Sequence, residues 1–389
     1  MPTAETLPTS RSQGRFPPYA VCLLVFLAGC QLGDAAYKLD WVEGPPLPEP
    51  LAGHCVGTFR GELILAGGLT LRDGKPVAID TVRKYDPNTG ATGPLPPLPR
   101  PMAHAGCATA GDDFVIVGGA DGDRALDEAF RLTLKDGKPV WERLPRLPGP
   151  RTAPSVAAVG RVVYLVGGAE SGRPESASAD DFQLDLDRLD VGWTPRSGLP
   201  GAPRQDAGTA VGGERIFLFG GRQRDGDGRW MAYADAYRWS RYLDDWVRLA
   251  DLPDPAFGLS AAALDDRFLL LTGAAGPEHL PFKPVKRKPR RAEDEPPARP
   301  VREEIPEGPE PPDRPVPPYF GRSWVYDSHT DMYYEVEALP RPVNGPALVV
   351  RNGVLFAIGG YERPGGPVNA TQQAVLTPRG YKWFRGERK

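Results

Sequence analysis

"IFLFGG", Ile216–Gly221, is the stretch that decides the fold. Four apolar residues in succession read as a strand buried on both faces. The paired glycines end it where backbones crowd, a side chain would clash, and positive φ must be allowed. The phrase recurs as "LILAGG" (Leu63–Gly68), "FVIVGG" (Phe114–Gly119), "VVYLVGG" (Val162–Gly168) and "LFAIGG" (Leu355–Gly360), with a degenerate copy "FLLLTGA" (Phe268–Ala274). The first five copies are spaced by about 50 residues and the last gap is longer by one insert, the signature of a repeat architecture.

A second element keeps the same rhythm: "PPLPEP", "LPPLPRP", "LPRLPGPR", "SGLPGAPR", "LADLPDPA" and "EALPRP". Six glycine ends and six Leu-Pro elements define six repeats. Within each, a strand, a turn, the apolar strand, a polar loop and an Asp-led strand ending in an aromatic are followed by a last strand that often carries tryptophan (Trp141, Trp193, Trp246). Four short antiparallel strands per repeat make a propeller blade, because one such sheet cannot bury both faces until neighbours stack on it. The chain enters with "YKLDWVEGPPLP", a last strand without the three before it, and the final repeat ends near "QQAVLTPRGYKWF". Trp41 and its neighbours are therefore expected to complete the sixth blade and close the ring.

Composition agrees with an all-β chain. Among 389 residues, glycine and proline number 46 each, which suits many strands and turns. The net charge of -3 removes the electrostatic footprint that a nucleic-acid partner would need. Residues 1–29 read as an export signal: Arg11 and Arg15 precede the short apolar run "YAVCLLVFLAG". "LAGC", Leu27–Cys30, resembles the bacterial lipobox, which implies lipidation at Cys30, and Gln31 in place of aspartate implies outer-membrane attachment, on the periplasmic face. Of the remaining cysteines, Cys55 and Cys107 fall in apolar strands and read as core residues, although export permits a disulfide. There is no metal-type CxxC and no cofactor motif, so neither a metal nor a cofactor is expected.

Antiparallel order puts the Leu-Pro loops and the loops after each glycine pair on one end of the propeller. That end carries Arg100, Arg151, Arg204 and Arg341 after the Leu-Pro turns, and Arg222, Arg224, Arg229, Glu170 and Glu362 after the glycines. One reading is a ring of guanidinium groups that binds an acidic or polyhydroxylated ligand. The other is that each arginine braces its own neighbouring loop. Residues 277–318 form a Pro-rich insert, with "KRKPRR" ahead of acidic residues, in the loop after blade five's glycine; such a segment cannot pack a core and is read as an extended excursion, a flap or an arm for a protein partner.

The mature chain, 30–389, resembles the kelch family that contains the bacterial N-acetylneuraminate mutarotases, also called epimerases. The features that carry the resemblance are six repeats, an export signal, the last strand placed first, a long blade-five loop and the final "IGGYERPGGPVNATQQAVL". The resemblance implies a six-bladed kelch-type propeller and cofactor-independent interconversion of sugar anomers. In that family an acidic residue directly after the fourth glycine pair and an arginine further along the same loop handle the anomeric proton and the sugar carboxylate. Here the acidic position holds Arg222 and Arg229 is the counterpart of the arginine; Asp225, Asp227, Glu170 or Glu362 would have to supply the carboxylate. Two other classes remain: a non-catalytic binding or scaffold protein of the cell envelope, and a copper oxidase on kelch blades. His54, His104, His279 and His329 are too scattered in sequence to suggest the copper set.

Overall fold

Each apolar run between a turn and a glycine pair forms the second strand of a four-stranded antiparallel sheet, and the computed structural model contains six such sheets arranged as the six blades of a propeller. The structure describes residues 37–170, 176–224, 230–276, 322–363 and 365–378. All lie within one compact unit, Leu32–Lys389. The first strands of the blades are Cys55–Phe59, Gly106–Ala110, Ser155–Val159, Gly208–Gly212, Ser260–Ala263 and Ala347–Arg351.

Blade 4 shows why the runs are continuously apolar. Its second strand, Arg215–Phe219, alternates sides with the period of two that a strand imposes. Phe217 and Phe219 face blade 5, packing with Leu269, Leu271, Trp324 and Tyr326. Ile216 and Leu218 face blade 3, against Tyr164 and Val166. Both faces are buried from Ile216 to Phe219, so these four positions are all apolar. The same division gives one apolar cluster at each of the six blade interfaces, and the core lies between blades. Cys55 and Cys107 are free thiols in the cluster between blades 1 and 2.

The glycine pairs and Leu-Pro elements knit these sheets together. The Gly220 N–H binds the carbonyl of Asp235 in its own blade, and the Gly221 N–H binds the carbonyl of Ala256 at the entry to blade 5. A Cβ on Gly220 would press into that same Ala256 carbonyl, and Gly221 has φ of 103°, so neither position takes a side chain without strain. In the Leu-Pro elements, the buried Leu47, Leu98, Leu147, Leu199 and Leu252 each donate a backbone N–H to a carbonyl just ahead of a third strand, on Asn369, Asp80, Asp127, Ala179 and Ala234. Trp41, Trp141 and Trp193 donate their indole N–H to Glu337, Pro96 and Pro145 of the preceding blade's Leu-Pro element.

The ring closes as the sequence anticipates. Tyr37–Glu43 is the outermost strand of blade 6 and pairs with Thr371–Pro378 from Tyr37↔Pro378 to Glu43↔Gln372. Gly360 then donates its N–H to Leu51 at the entry to blade 1. Among the described residues no helix is long and apolar enough to cross a membrane, which does not bear on β-barrels. The expected signal at 1–29 with Cys30 and the 277–318 insert fall outside the described residues, as do Asp225, Asp227 and Arg229.

Candidate functional site

Two residues before each first strand the chain passes through the left-handed region: Gly53, His104, Ala153, Asp206, Gly258 and Gly345 have φ between 48° and 60°. Four of these residues are joined to the one before by a backbone hydrogen bond around the axis. His104 N–H binds Gly53 C=O, Ala153 binds His104, Asp206 binds Ala153 and Gly258 binds Asp206, at 2.8–3.2 Å. Blade 6 joins through the Asn344 side chain, whose amide donates to Gly273 C=O at 2.9 Å. These residues and their successors line a cavity of about 160 Å³ on the axis, at the end of the propeller where the glycine pairs sit. The residue preceding each left-handed position also bridges the residue after the glycine pair, as in Gln205↔Arg222 and Asn344↔Tyr361. The Leu-Pro loops and the loops after the glycines therefore share one end, as their order in the sequence requires.

The described arginines that follow the Leu-Pro turns are on that end, and the carboxylates that meet them come from the same blades. Arg100 binds Asp121 at 2.5 Å and Glu128 at 3.1 Å. Arg151, 3% exposed, binds Asp180 at 2.7 Å and Glu170 at 3.2 Å. Arg204, 1% exposed, grips both oxygens of Asp235 at 2.7 and 2.8 Å, donates to the Gly220 and Ala202 carbonyls, and lies over the Tyr233 ring. Arg341 binds Glu362 at 3.2 Å. Glu49–Arg72 in blade 1 and Asp254–Arg322 in blade 5 continue the series. In every blade, at least one arginine on this face thus meets a carboxylate of its own blade. Arg100, Arg151, Arg204 and Arg341 brace loops, and the two glutamates read from the sequence, Glu170 and Glu362, serve as their counter-ions.

Blade 4 adds a pair of opposite polarity. Asp206 sits before the first strand and Arg222 after the glycines, with Arg222 Nε donating to Asp206 Oδ2 at 2.6 Å. The Arg222 guanidinium lies 4.5 Å from the ring centroids of both Trp230 and Phe257, so its plane is held between two aromatic faces. Its two terminal amino groups make no hydrogen bond among the described residues, unlike those of Arg100, Arg151 and Arg204. A guanidinium fixed through one nitrogen with the outer two available is the donor pattern that takes a carboxylate in bidentate fashion.

Two histidines far apart in the sequence, His54 and His104, complete the rim. His104 shares a hydrogen bond of 3.1 Å with the Tyr361 hydroxyl across the ring, and the two rings are stacked. Burial holds the His104 pKa below its ordinary value, and Arg222 lowers it further while Asp206 opposes both. His54 lies one residue after its blade's left-handed position; both ring nitrogens are enclosed without a hydrogen-bond partner among the described residues. Burial and then Arg83 push its pKa down to about 4. Both imidazoles are neutral at pH 7. Aligning the repeats on their glycine pairs puts Gly53, His104, Ala153, Asp206 and Gly345 in one column, each the same distance ahead of its first glycine, so this signal is present in the sequence. Among the described residues no three His, Cys, Asp or Glu side chains form a metal-binding group.

These features define a kelch-type β-propeller with a polar cavity at one end of its axis. Comparison with known proteins agrees on the fold class. The chain is 27% identical over 61% of its length to human Kelch-like protein 34, and 23% identical over 86% to the Kelch-like protein terF of Aspergillus terreus. It is 34% identical over 25% of its length to the N-acetylneuraminate epimerase of Yersinia pestis. The matches span 37%, 66% and 26% of those relatives, respectively. No family model matches the chain.

Proposed function

We propose that the protein is an exported, lipid-anchored kelch propeller that binds an acidic sugar of the N-acetylneuraminate type at the axial cavity and interconverts its anomers. The observation that carries this reading is Arg222, sandwiched between Trp230 and Phe257 beside Asp206, with its terminal amino groups available for a ligand carboxylate. Neutral His104 on the rim suits a hydroxyl group, because a neutral imidazole both donates and accepts. The partial similarity to a neuraminate epimerase supports the choice of sugar. Mixing the protein with freshly dissolved N-acetylneuraminate and following anomer equilibration by NMR tests the activity; an unchanged rate would sink it.

A second reading, a non-catalytic glycan- or protein-binding module of the envelope, is favoured by one fact: Arg222 occupies the position at which the resembling enzymes carry their acid. Binding without rate acceleration in the same sample would select it. Attachment through Cys30 is part of the proposal. Mass spectrometry of the mature N-terminus should find a diacyl-modified Cys30, and a chain beginning upstream of it would contradict the anchor.

A further inference from the structure

We propose that Asp206 is the proton-transferring group of this site, supplying the carboxylate that the position directly after the blade-four glycines, Arg222, does not. The inference rests on the reading of the cavity as a sugar site, and the geometry behind it belongs to this chain. Asp206 is the one carboxylate among the six left-handed residues that ring the cavity. Its backbone is fixed on both sides: its N–H binds Ala153 C=O at 3.2 Å and its C=O accepts from Gly258 N–H at 2.8 Å. Only Oδ2 is used by Arg222, so Oδ1 accepts no hydrogen bond among the described residues. A carboxylate held this rigidly, with one oxygen anchored and the other open, is pre-set for proton transfer. Of the carboxylates expected from the sequence, Glu170 and Glu362 are less suited, being exposed and paired with Arg151 and Arg341, while Asp225 and Asp227 lie outside the described residues.

The chemistry follows from adjacency. In a 2-keto sugar acid the carboxylate and the anomeric hydroxyl share one carbon. A ligand carboxylate on the terminal amino groups of Arg222 therefore brings its anomeric hydroxyl beside Asp206. Oδ1 takes the hydroxyl proton, the released electron pair becomes the second bond of a ketone, and the bond from the anomeric carbon to the ring oxygen breaks. The protonated Asp206 then returns its proton to the former ring oxygen. Rotation about the adjacent C–C bond presents the other carbonyl face, and the same steps in reverse close the ring. No electrons leave the sugar and no proton is lost, so the cycle needs no co-reactant. Uronic acids, whose carboxylate sits on a different carbon from the anomeric hydroxyl, are expected to bind Arg222 and turn over poorly.

The test is anomer equilibration of N-acetylneuraminate by NMR with the full chain, comparing wild type with Asp206→Asn, Glu170→Gln and Glu362→Gln. Asparagine is the right substitution because it keeps the shape and tolerates φ near 57°. A thermal melt verifies that Asp206→Asn folds, and Asp206→Ser, which also removes the carboxylate, is the second variant if it does not. The expected result is wild-type acceleration that falls by about 100-fold or more in the Asp206 variants, with calorimetric affinity for the sugar changed by less than about tenfold. Acceleration retained in Asp206→Asn, or lost instead in Glu170→Gln or Glu362→Gln, overturns the role of Asp206 while leaving the sugar enzyme standing. No acceleration by wild type overturns the enzyme reading and this role with it.

Discussion

Arg222 and Asp206 meet at 2.6 Å on the rim of the axial cavity, with the arginine behind the glycine pair of blade 4 and the aspartate ahead of that blade's first strand. Arg204, two residues before Asp206, is bound to Asp235 and buried at 1% exposure. Two arginines of one blade thus differ in what holds them, and their substitutions should separate.

Arg204→Met should destabilise the protein by about 3–5 kcal/mol, because Asp235 would keep a largely enclosed charge without its partner. Burial alone would raise the Asp235 pKa, and the Arg204 guanidinium is what holds it below the usual range. Arg222→Gln should cost less, about 1–3 kcal/mol, since Arg222 makes a single hydrogen bond, to Asp206, where Arg204 makes four. Urea melts of the two variants check the order; equal losses would contradict it.

Gly220→Ala should cost about 2–4 kcal/mol through positive φ combined with contact on the Ala256 carbonyl. The loss should appear as a lower melting temperature with the ligand site chemistry untouched. A neutral substitution would mean that the glycine pairs do not set the blade spacing.

His54 gives stability a dependence on pH. Its folded pKa of about 4 lies below the ordinary value of 6.5, so the unfolded chain binds the extra proton first. The contribution is complete above pH 6.5, declines as pH falls toward 4 and is fully lost below, amounting to about 3 kcal/mol. Wild type minus His54→Gln, compared by denaturation between pH 7 and pH 4, isolates it. A constant difference across that window would show that His54 is not held neutral by burial.

The fold was legible because it is written in covalent geometry and repeated. Glycine pairs, Leu-Pro elements and the stranded Trp41 segment each have a local cause, and six copies leave little freedom in how they assemble. Charge on the cavity face was legible only as composition. Whether Arg151 or Arg204 is spent on a carboxylate depends on Asp180 or Asp235, residues placed opposite by the third strand and not by sequence proximity. The stacking of Arg222 on Phe257 requires the neighbouring blade, which no single repeat announces. Asp206 stayed hidden because an aspartate before a strand reads as a turn former; only the ring of left-handed residues reveals that it faces the cavity.

The most direct test of the account is calorimetric titration of N-acetylneuraminate into wild type and Arg222→Gln, with glucose as the uncharged comparison. The account predicts saturable binding of the acid by wild type, a loss of about tenfold or more in affinity on removing the guanidinium, and no measurable binding of glucose. Equal affinity of the two proteins for the acid would contradict it.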